Sequence, residues 1–460
     1  MNFVAELIER HPASKPALLA ISREGERRIW HLGELGARAA GLSGAFATRG
    51  VKRGDVVMTL VGTRVEWVLV LLACWRMGAV ALPCNTQLRR HDLEHRIGAA
   101  SPALCVGEEE LLGEMPGGVE CMTLAEVWDS LDEDRPQETP AAAADLGPED
   151  PALIVFTSGS TGEPKPALHP TRYLPGQRAQ AEHWLGAREG DLVWTTTATG
   201  WSKSARNVFV APWLTGAAAL LCEGRFDPAE RLDICEREGV SVLCQAPTEY
   251  RMTASKVELR PLPALRRAVS AGEALGADVF ATYQEAWGVD ICDGYGQTET
   301  GHLTGNLAGR EARAGSMGQP LPGFETRVVE GELQVRAASC PTFFSRYLDS
   351  NGPPELVDGE WWATGDWVRE GDDGYLFHEG RHDDLILSSG YRIGPQEVEE
   401  ALLSHPAVAE AAAVPAPDPE RGAIVKAMTA PYKFPRIVEF TDALPRTSSG
   451  KLRRSELRDA

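Results

Sequence analysis

Short apolar runs alternate with segments of helical spacing through most of the chain, and this alternation restricts the possible folds more than any other feature. In the first 80 residues the pattern predicts a helix over Leu32–Arg49, a strand over Asp55–Val61 and a helix over Arg64–Met77. Such alternation is typical of doubly wound α/β sheets, which bind ligands beyond the carboxyl ends of their strands. The runs that predict strands after residue 151 are Ala152–Thr157, Leu192–Thr196, Ala217–Leu221, Val240–Cys244, Ala268–Ala271 and Val289–Cys292.

The chain also divides into parts. Its 460 residues are too many for one packed core, because single cores stop growing at about 250–300 residues. Pro136–Pro151 is rich in proline, alanine and acidic residues and predicts a surface linker. Phe324–Tyr375 indicates a small antiparallel β unit with glycine and proline turns. We predict a multi-part α/β N-terminal domain over residues 1–380, a hinge over 381–384 and a small α+β C-terminal domain over 385–460.

Charge and hydropathy exclude several classes of partner. The chain carries 46 Lys and Arg against 66 Asp and Glu, a net charge of −20, which argues against nucleic acid and anionic membranes. Its longest apolar run, Trp67–Trp75, is far shorter than the ~20 residues of a membrane span. The N-terminus lacks the apolar stretch of a secretory signal, so we expect a cytoplasmic protein. The nine cysteines, with no CxxC pair, predict reduced thiols and no zinc site.

The last forty residues are basic although the rest of the chain is acidic. Residues 421–460 hold nine Lys and Arg against four Asp and Glu. This asymmetry fits a lid over anionic substrates, and it fits equally well a tail that pairs with the acidic surface of its own protein.

The strongest single motif follows the predicted strand at Ala152–Thr157. Thr157–Pro166 reads TSGSTGEPKP, and four hydroxyls with two glycines in six residues give a backbone that can curl around phosphate groups. It differs from a Walker A loop because Lys165 lies between two prolines, three residues after Gly162. The sequence therefore predicts a phosphate-binding loop of another kind.

This loop resembles the phosphate loop of the adenylate-forming (ANL) superfamily of AMP-binding enzymes. The stretches GWSK within Ala198–Ala205 and YKFPR at Tyr432–Arg436 most resemble its medium-chain acyl-CoA synthetase branch. Further matching stretches, in the family's order, are Ser270–Ala274, Asp293–Thr300, Thr364–Asp366, Gly380–Asp384, Ser388–Pro395 and Pro445–Lys451.

The resemblance implies an ATP-dependent acyl-CoA synthetase for a medium-chain, branched or aromatic carboxylic acid. Such an enzyme makes acyl-AMP and pyrophosphate, and then transfers the acyl group to CoA. Lys451 would bring positive charge between carboxylate and α-phosphate, and Glu299 with Thr161 would hold Mg²⁺. The catalytic residues so implied are Lys451, Glu299, Thr298 and Lys165.

The resemblance also implies a binding site for ATP and AMP. Tyr295 would stack on the adenine, Asp366 would accept both ribose hydroxyls, and Arg381 would reach the ribose or a phosphate. The residues implied in nucleotide binding are Thr157, Ser158, Gly159, Ser160, Thr161, Gly162, Lys165, Gly272, Glu273, Ala274, Asp293, Gly294, Tyr295, Gly296, Gln297, Thr298, Asp366, Arg381 and Lys451.

The same resemblance implies an acyl pocket and a CoA site. It also implies that Asp383 is the hinge about which the small domain rotates between the two half-reactions. Trp201 with small residues at 272 and 296 predicts a compact apolar cavity. The pocket residues are Trp201, Ser202, Asn207, Gln245, Gly272 and Gly296. The CoA residues are Ser389, Gly390, Tyr391, Arg392, Arg421, Lys426, Phe434, Pro435 and Arg436.

The small domain differs from the family pattern in one respect. Glu420–Lys433 joins two segments directly that a further strand and helix separate in relatives, which predicts a shortened domain. Two alternatives to a CoA ligase remain open at this point. The acyl group could pass to the phosphopantetheine of a carrier protein, or the shortened chain could bind nucleotide without catalysing either half-reaction.

Overall fold

The computed structural model describes residues 2–132, 142–157, 163–273, 275–350 and 352–381, and shorter stretches of the remainder. Those stretches are 384, 386–388, 391–403, 408, 411–418, 422–426, 437–439, 441, 444–445 and 454–458.

The strands and helices alternate along the first three hundred residues. The strands are β1 Pro16–Ile21, β2 Arg27–His31, β3 Val56–Leu60, β4 Val80–Pro83, β5 Leu104–Gly107, β6 Glu120–Thr123, β7 Pro151–Phe156, β8 Pro166–Pro170, β9 Leu192–Thr195, β10 Ala218–Cys222, β11 Val242–Gln245, β12 Arg267–Ala271, β13 Ile291–Gln297, β14 Gly301–Gly305, β15 Gln319–Pro320, β16 Thr326–Val329, β17 Glu332–Arg336, β18 Arg346–Tyr347, β19 Trp361–Glu370, β20 Leu376–Arg381, β21 Ile386–Ser388, β22 Tyr391–Ile393, β23 Val414–Asp418 and β24 Gly422–Lys426. The α-helices are α1 Leu32–Thr48, α2 Val65–Met77, α3 Arg90–Ala100, α4 Glu109–Leu112, α5 Leu124–Ser130, α6 Tyr173–Gly176, α7 Arg178–His183, α8 Ala211–Leu214, α9 Pro228–Glu238, α10 Pro247–Lys256, α11 Ala277–Trp287, α12 Pro395–Leu403 and α13 Arg454–Arg458. Two π-helical segments, Val4–Glu9 and Arg206–Val210, and a 3₁₀ turn at Ala337–Ser339 complete the described elements.

Two large sheets form the body of the protein. One has seven strands in the order β18-β8-β7-β4-β3-β5-β6, and the other has nine in the order β15-β14-β13-β12-β11-β9-β10-β1-β2. Neighbours from β7 to β6 and from β13 to β1 run parallel, and the pairs that involve β2, β8, β14, β15 and β18 are antiparallel. The α/β fold predicted from the alternating pattern is confirmed.

The main core lies between the two large sheets. Helix α2 is buried at all thirteen positions and packs with α1 and with β3 and β4 of the seven-stranded sheet, in a core cluster that also includes residues of the nine-stranded sheet. Its apolar run is therefore a core element. No helix within the described ranges is both long and apolar enough to cross a membrane.

Two smaller sheets follow. Strands β16, β17, β19 and β20 form an antiparallel sheet, as predicted, which extends to Arg381. Strands β21 to β24 pack with α12 around Ile386, Val398 and Val425. This arrangement agrees with the α+β composition predicted for the C-terminal part.

Two local predictions need correction. The described part of the predicted linker, residues 142–150, is attached to the body, because Leu146 is buried and the Ala144 amide donates to the Arg76 carbonyl at 2.8 Å. Strand β13 begins two residues later than predicted and continues to Gln297. Gly294 lets the longer strand pass Trp184, whose Nε1 would lie 2.6 Å from a Cβ at position 294.

Candidate active site

The predicted nucleotide residues converge on the carboxyl ends of the parallel strands. Thr157 follows β7, Gly272 and Glu273 follow β12, and Tyr295 to Gln297 end β13. The antiparallel sheet contributes Asp366 from β19 and Arg381 from β20. Residues that are more than 200 positions apart in the chain thus meet at one edge of the fold, as expected for a doubly wound α/β protein.

The carboxylate of Asp366 is the centre of a hydrogen-bond network. Its Oδ2 accepts from the Tyr295 hydroxyl at 2.5 Å and from Gln297 Nε2 at 2.7 Å. His378 Nε2 lies 3.1 Å from Oδ1, and Arg381 Nε lies 3.8 Å from the same oxygen. Burial by itself raises the pKa of Asp366, but the hydrogen bond and charge of His378, the charge of Arg381 and the Tyr295 hydroxyl together lower it. The carboxylate is therefore held ionised and in one orientation.

Tyr295 and Gln297 are in turn fixed by neighbours from other strands. Gln297 Nε2 also donates to the Thr364 carbonyl at 2.7 Å, and its Oε1 accepts from Trp362 Nε1 at 3.2 Å. The Tyr295 ring stacks near His378, with ring centres 6.3 Å apart. Burial and the nearby Asp366 raise the pKa of Tyr295, so its hydroxyl remains a hydrogen-bond donor.

Asp293 ties the segment after β12 to β13. Its carboxylate accepts from the Gly294 amide at 2.9 Å and from the Leu275 amide at 3.3 Å. Burial raises the pKa of Asp293 to about 7, against the lowering effect of these two amides. The side chain thus fixes the Leu275 amide directly after the segment 272–274, which the resemblance assigns to the adenine and the α-phosphate.

The base of the phosphate loop is closed by two reciprocal hydrogen bonds. The Thr157 amide donates to the Lys165 carbonyl at 2.9 Å, and the Lys165 amide donates to Thr157 Oγ1 at 3.0 Å. Lys165 Nζ lies 5.4 Å from the centre of the Tyr347 ring, and the Tyr347 hydroxyl donates to Glu299 Oε1 at 2.6 Å. The Lys165 ammonium, the Tyr347 ring and the Glu299 carboxylate therefore lie side by side in space next to the loop.

Glu299 is a chemically suitable Mg²⁺ ligand, because hard cations take carboxylate and phosphate oxygens. The Tyr347 hydroxyl donates to Oε1 of Glu299, and none of the described residues donates a hydrogen bond to Oε2. Thr161, the other predicted ligand, lies outside the described residues. Across the described ranges no three His, Cys, Asp or Glu side chains form a metal-binding group. A single carboxylate is enough for Mg²⁺ only where nucleotide phosphates complete the coordination.

The predicted acyl pocket lies between β11, β13 and the segment 201–207. Asn207 Oδ1 accepts from Gln180 Nε2 at 2.9 Å. Gly272 has a φ of +110°, and a Cβ there would lie 3.0 Å from Lys203 Nζ. A Cβ on Gly296 would lie only 2.0 Å from the Gly301 carbonyl oxygen, so a side chain at 296 is excluded.

This region is more polar than the predicted apolar cavity. The atoms Ser202 Oγ, Gln245 Nε2 and Ser270 Oγ are buried without a hydrogen-bond partner. The sequence prediction considered volume alone, whereas unpaired buried donors favour a ligand that carries acceptors.

The sequence analysis missed three residues of the site. Lys203 Nζ donates to the Ala271 carbonyl at 2.6 Å and lies 5.8 Å from the centre of the Trp201 ring. Lys203 could have been predicted from the sequence, since it is the one cation in the matched stretch Ala198–Ala205. Tyr347 and His378 carried no local signal, because their partners Glu299 and Asp366 are brought to them only by the fold.

The remaining predicted residues either lie elsewhere in the described fold or fall outside the described part of the chain. Thr298 lies just after β13, where it is half-buried, and Glu273 accepts from the Thr248 hydroxyl. Lys426 ends β24 with Nζ 2.7 Å from Glu439 Oε2, and Tyr391 and Arg392 form β22. The predicted residues outside the described part are Ser158, Gly159, Ser160, Thr161, Gly162, Ala274, Asp383, Ser389, Gly390, Arg421, Phe434, Pro435, Arg436 and Lys451.

Comparison with known proteins agrees with this geometry. A model of the AMP-binding enzyme family matches residues 4–341, and a model of the AMP-binding enzyme C-terminal domain matches residues 397–431. The chain belongs to the AMP-binding enzyme family. The resemblance inferred from the motifs is thereby confirmed.

The relatives define the class more closely. The uncharacterized acyl-CoA ligase YtcI of Bacillus subtilis (strain 168) is 35% identical over 505 residues, covering 99% of this chain and 95% of that protein. The mitochondrial acyl-coenzyme A synthetase ACSM3 of Homo sapiens is 34% identical, covering 97% and 86%. The crystal structure of the anthranilate CoA ligase AuaEII in complex with anthranoyl-AMP aligns with a TM-score of 0.88 at 28% identity, covering 100% and 97%. As predicted, the chain is an AMP-forming acid–CoA ligase, with ATP and CoA as substrates.

The alignment with YtcI also bears on length. It extends over 505 positions, whereas this chain has 460 residues, so the relative carries segments that this chain lacks.

Proposed function

We propose that the enzyme activates a carboxylic acid through an acyl-adenylate bound between β13 and β19, and then transfers the acyl group to CoA. The observation that carries this proposal is the ionised Asp366 carboxylate, fixed by Tyr295, Gln297 and His378 at the carboxyl end of the sheet. A buried carboxylate with a lowered pKa is a strong acceptor for paired hydroxyls, such as those of a ribose.

In the first half-reaction one carboxylate oxygen of the acid attacks the α-phosphorus of ATP, and the bond to pyrophosphate breaks. Both reactants are anions, so the enzyme must supply positive charge and alignment. Lys165 and the loop that it closes would bind the β- and γ-phosphates. Mg²⁺ held by Glu299 would neutralise phosphate charge. Lys451, on a Thr-Ser-Ser-Gly segment, would approach from the C-terminal part of the chain.

In the second half-reaction the CoA thiol attacks the acyl carbon, and AMP leaves with the bridging oxygen. We assign this step to a rotated C-terminal domain, residues 385–460, which turns about Asp383 in the segment 381–384. The rotation would withdraw Lys451 and present the predicted CoA residues on and beside β22. The Lys426–Glu439 ion pair would have to open if Lys426 binds a CoA phosphate.

An acid panel tests this function. Purified enzyme is given ATP, Mg²⁺ and aliphatic, branched or aromatic acids, and pyrophosphate release is measured with CoA, with a carrier protein or with neither acceptor. We expect acid-dependent release that needs Mg²⁺ and a product that accumulates as the CoA thioester. Faster transfer to a carrier protein would replace the assigned acceptor. Nucleotide binding without acid-dependent release would mean that the chain does not catalyse adenylation.

A further inference from the structure

A buried cation lies beside the predicted acyl pocket without an acidic partner. Arg206 is next to Asn207 at the start of the π-helical segment and is only 6% exposed. Its Nε and Nη1 are buried and have no hydrogen-bond partner. Within the part of the chain that the structure describes, no carboxylate forms an ion pair with this guanidinium. A buried, unpaired charge is strongly destabilising, so the protein must gain something from keeping it.

The position of Arg206 connects it to the pocket. Its Nη1 lies 3.3 Å from the point that a Cβ on Gly301 would occupy. Gly301 pairs with Gln297 in β13 and β14, and its carbonyl faces Gly296. Asn207 and Gly296 are both predicted pocket residues, so the guanidinium lies next to two positions that the resemblance assigns to the acyl pocket.

The neighbours of Arg206 are polar but carry no negative charge. Burial, with the charges of Arg206 and Arg172, lowers the pKa of His169 to about 3, and burial with Arg206 lowers that of His302 well below its usual value. Both rings are neutral, and His169 Nδ1, His169 Nε2 and His302 Nε2 have no hydrogen-bond partner. The buried Tyr173 hydroxyl, whose ring lies 4.2 Å from His169, also has none. The wall thus offers several unused hydrogen-bonding groups around one uncompensated positive charge.

We infer that Arg206 binds a second carboxylate of the substrate, so that the acid activated here is a dicarboxylic acid. This inference rests on the proposed function. A carboxylate neutralises the guanidinium and accepts two of its N–H groups at once, which a neutral hydroxyl or carbonyl cannot do. One carboxylate would react at the α-phosphate, and the other would remain on Arg206 at the far wall. Arg206 then selects the substrate by direct contact and takes no part in bond making.

The test compares acids of equal length in the wild-type enzyme and in Arg206→Met. The probes are aliphatic and aromatic dicarboxylic acids, the matching monocarboxylic acids and the matching ω-hydroxy acids. We expect wild-type kcat/KM to favour the best diacid over its monoacid by about 100-fold, because the monoacid lacks the second carboxylate and leaves the buried guanidinium unpaired. In Arg206→Met this preference should disappear, and the change should appear as a higher KM for the diacid. Arg206→Lys should restore part of it.

Arg231→Met is the matched control, since Arg231 is also buried but is paired with Glu249 at 3.3 Å. It should affect diacid and monoacid equally. A wild-type enzyme that activates monoacids and rejects diacids would overturn the inference while leaving the proposed function intact. A diacid preference that survives unchanged in Arg206→Met would overturn the role of Arg206. If no acid supports pyrophosphate release, the proposed function fails and this inference fails with it.

Discussion

Replacing Lys451 with alanine should lower acid-dependent pyrophosphate release by about 10²–10³-fold, because removing one positioned charge donor at a reacting centre typically costs that much. The same variant should form the thioester from supplied acyl-AMP and CoA at close to the wild-type rate. The reason is that Lys451 is assigned to the approach of two anions, which occurs only in the first half-reaction. The measurement is a pair of single-turnover assays, one for each half-reaction.

Arg453→Ala is the control for Lys451→Ala, because it removes a positive charge two positions further along the same basic segment. It should leave both half-reactions largely unchanged. An equal loss of both half-reactions in Lys451→Ala would contradict the assigned role and would indicate a general defect of the C-terminal domain.

Replacing Asp366 with asparagine should raise the KM for ATP by about 100-fold. Hydrogen bonds to a charged acceptor contribute about 1.5–3 kcal/mol each, and the predicted ribose contact uses two of them. The amide also presents an NH₂ group toward Tyr295, Gln297 or His378, all of which donate to the carboxylate in the wild type. ATP binding and thermal unfolding should be measured together, so that lost affinity is separated from lost stability.

Glu379→Gln provides a comparison on the adjacent strand β20, where the side chain is exposed and removal of the charge touches no nucleotide contact. Its KM for ATP should match that of the wild type. If Asp366→Asn is folded and binds ATP normally, the ribose-binding role assigned to Asp366 is wrong.

The fold could be predicted because apolar runs and motif order are local properties of the sequence. Strand β13 shows where such reasoning stops. Its glycines gave no sign of an extended strand, because the neighbours that require glycine, Trp184 and His302 at Gly294 and the Gly301 carbonyl at Gly296, are brought there only by the fold. The attachment of Leu146 to the body was equally hidden, since the proline and acidic residues around it predicted a surface linker.

The site could be predicted where one short segment supplies several groups and not where distant segments meet. The motif at Asp293–Thr300 identified Tyr295 and Gln297, but their contact with Asp366 spans about seventy residues. Arg206 gave no signal at all. Arginine is usually exposed, and nothing in the neighbouring residues of the sequence shows that this guanidinium is buried without a counter-ion.

Isotope transfer tests the central account most directly. The preferred acid is labelled with ¹⁸O in its carboxylate and converted to the CoA thioester by the enzyme, ATP and CoA. Attack of the carboxylate on the α-phosphorus requires one labelled oxygen to appear in AMP and none in pyrophosphate. Unlabelled AMP, or label in phosphate released with ADP, would contradict an acyl-adenylate intermediate.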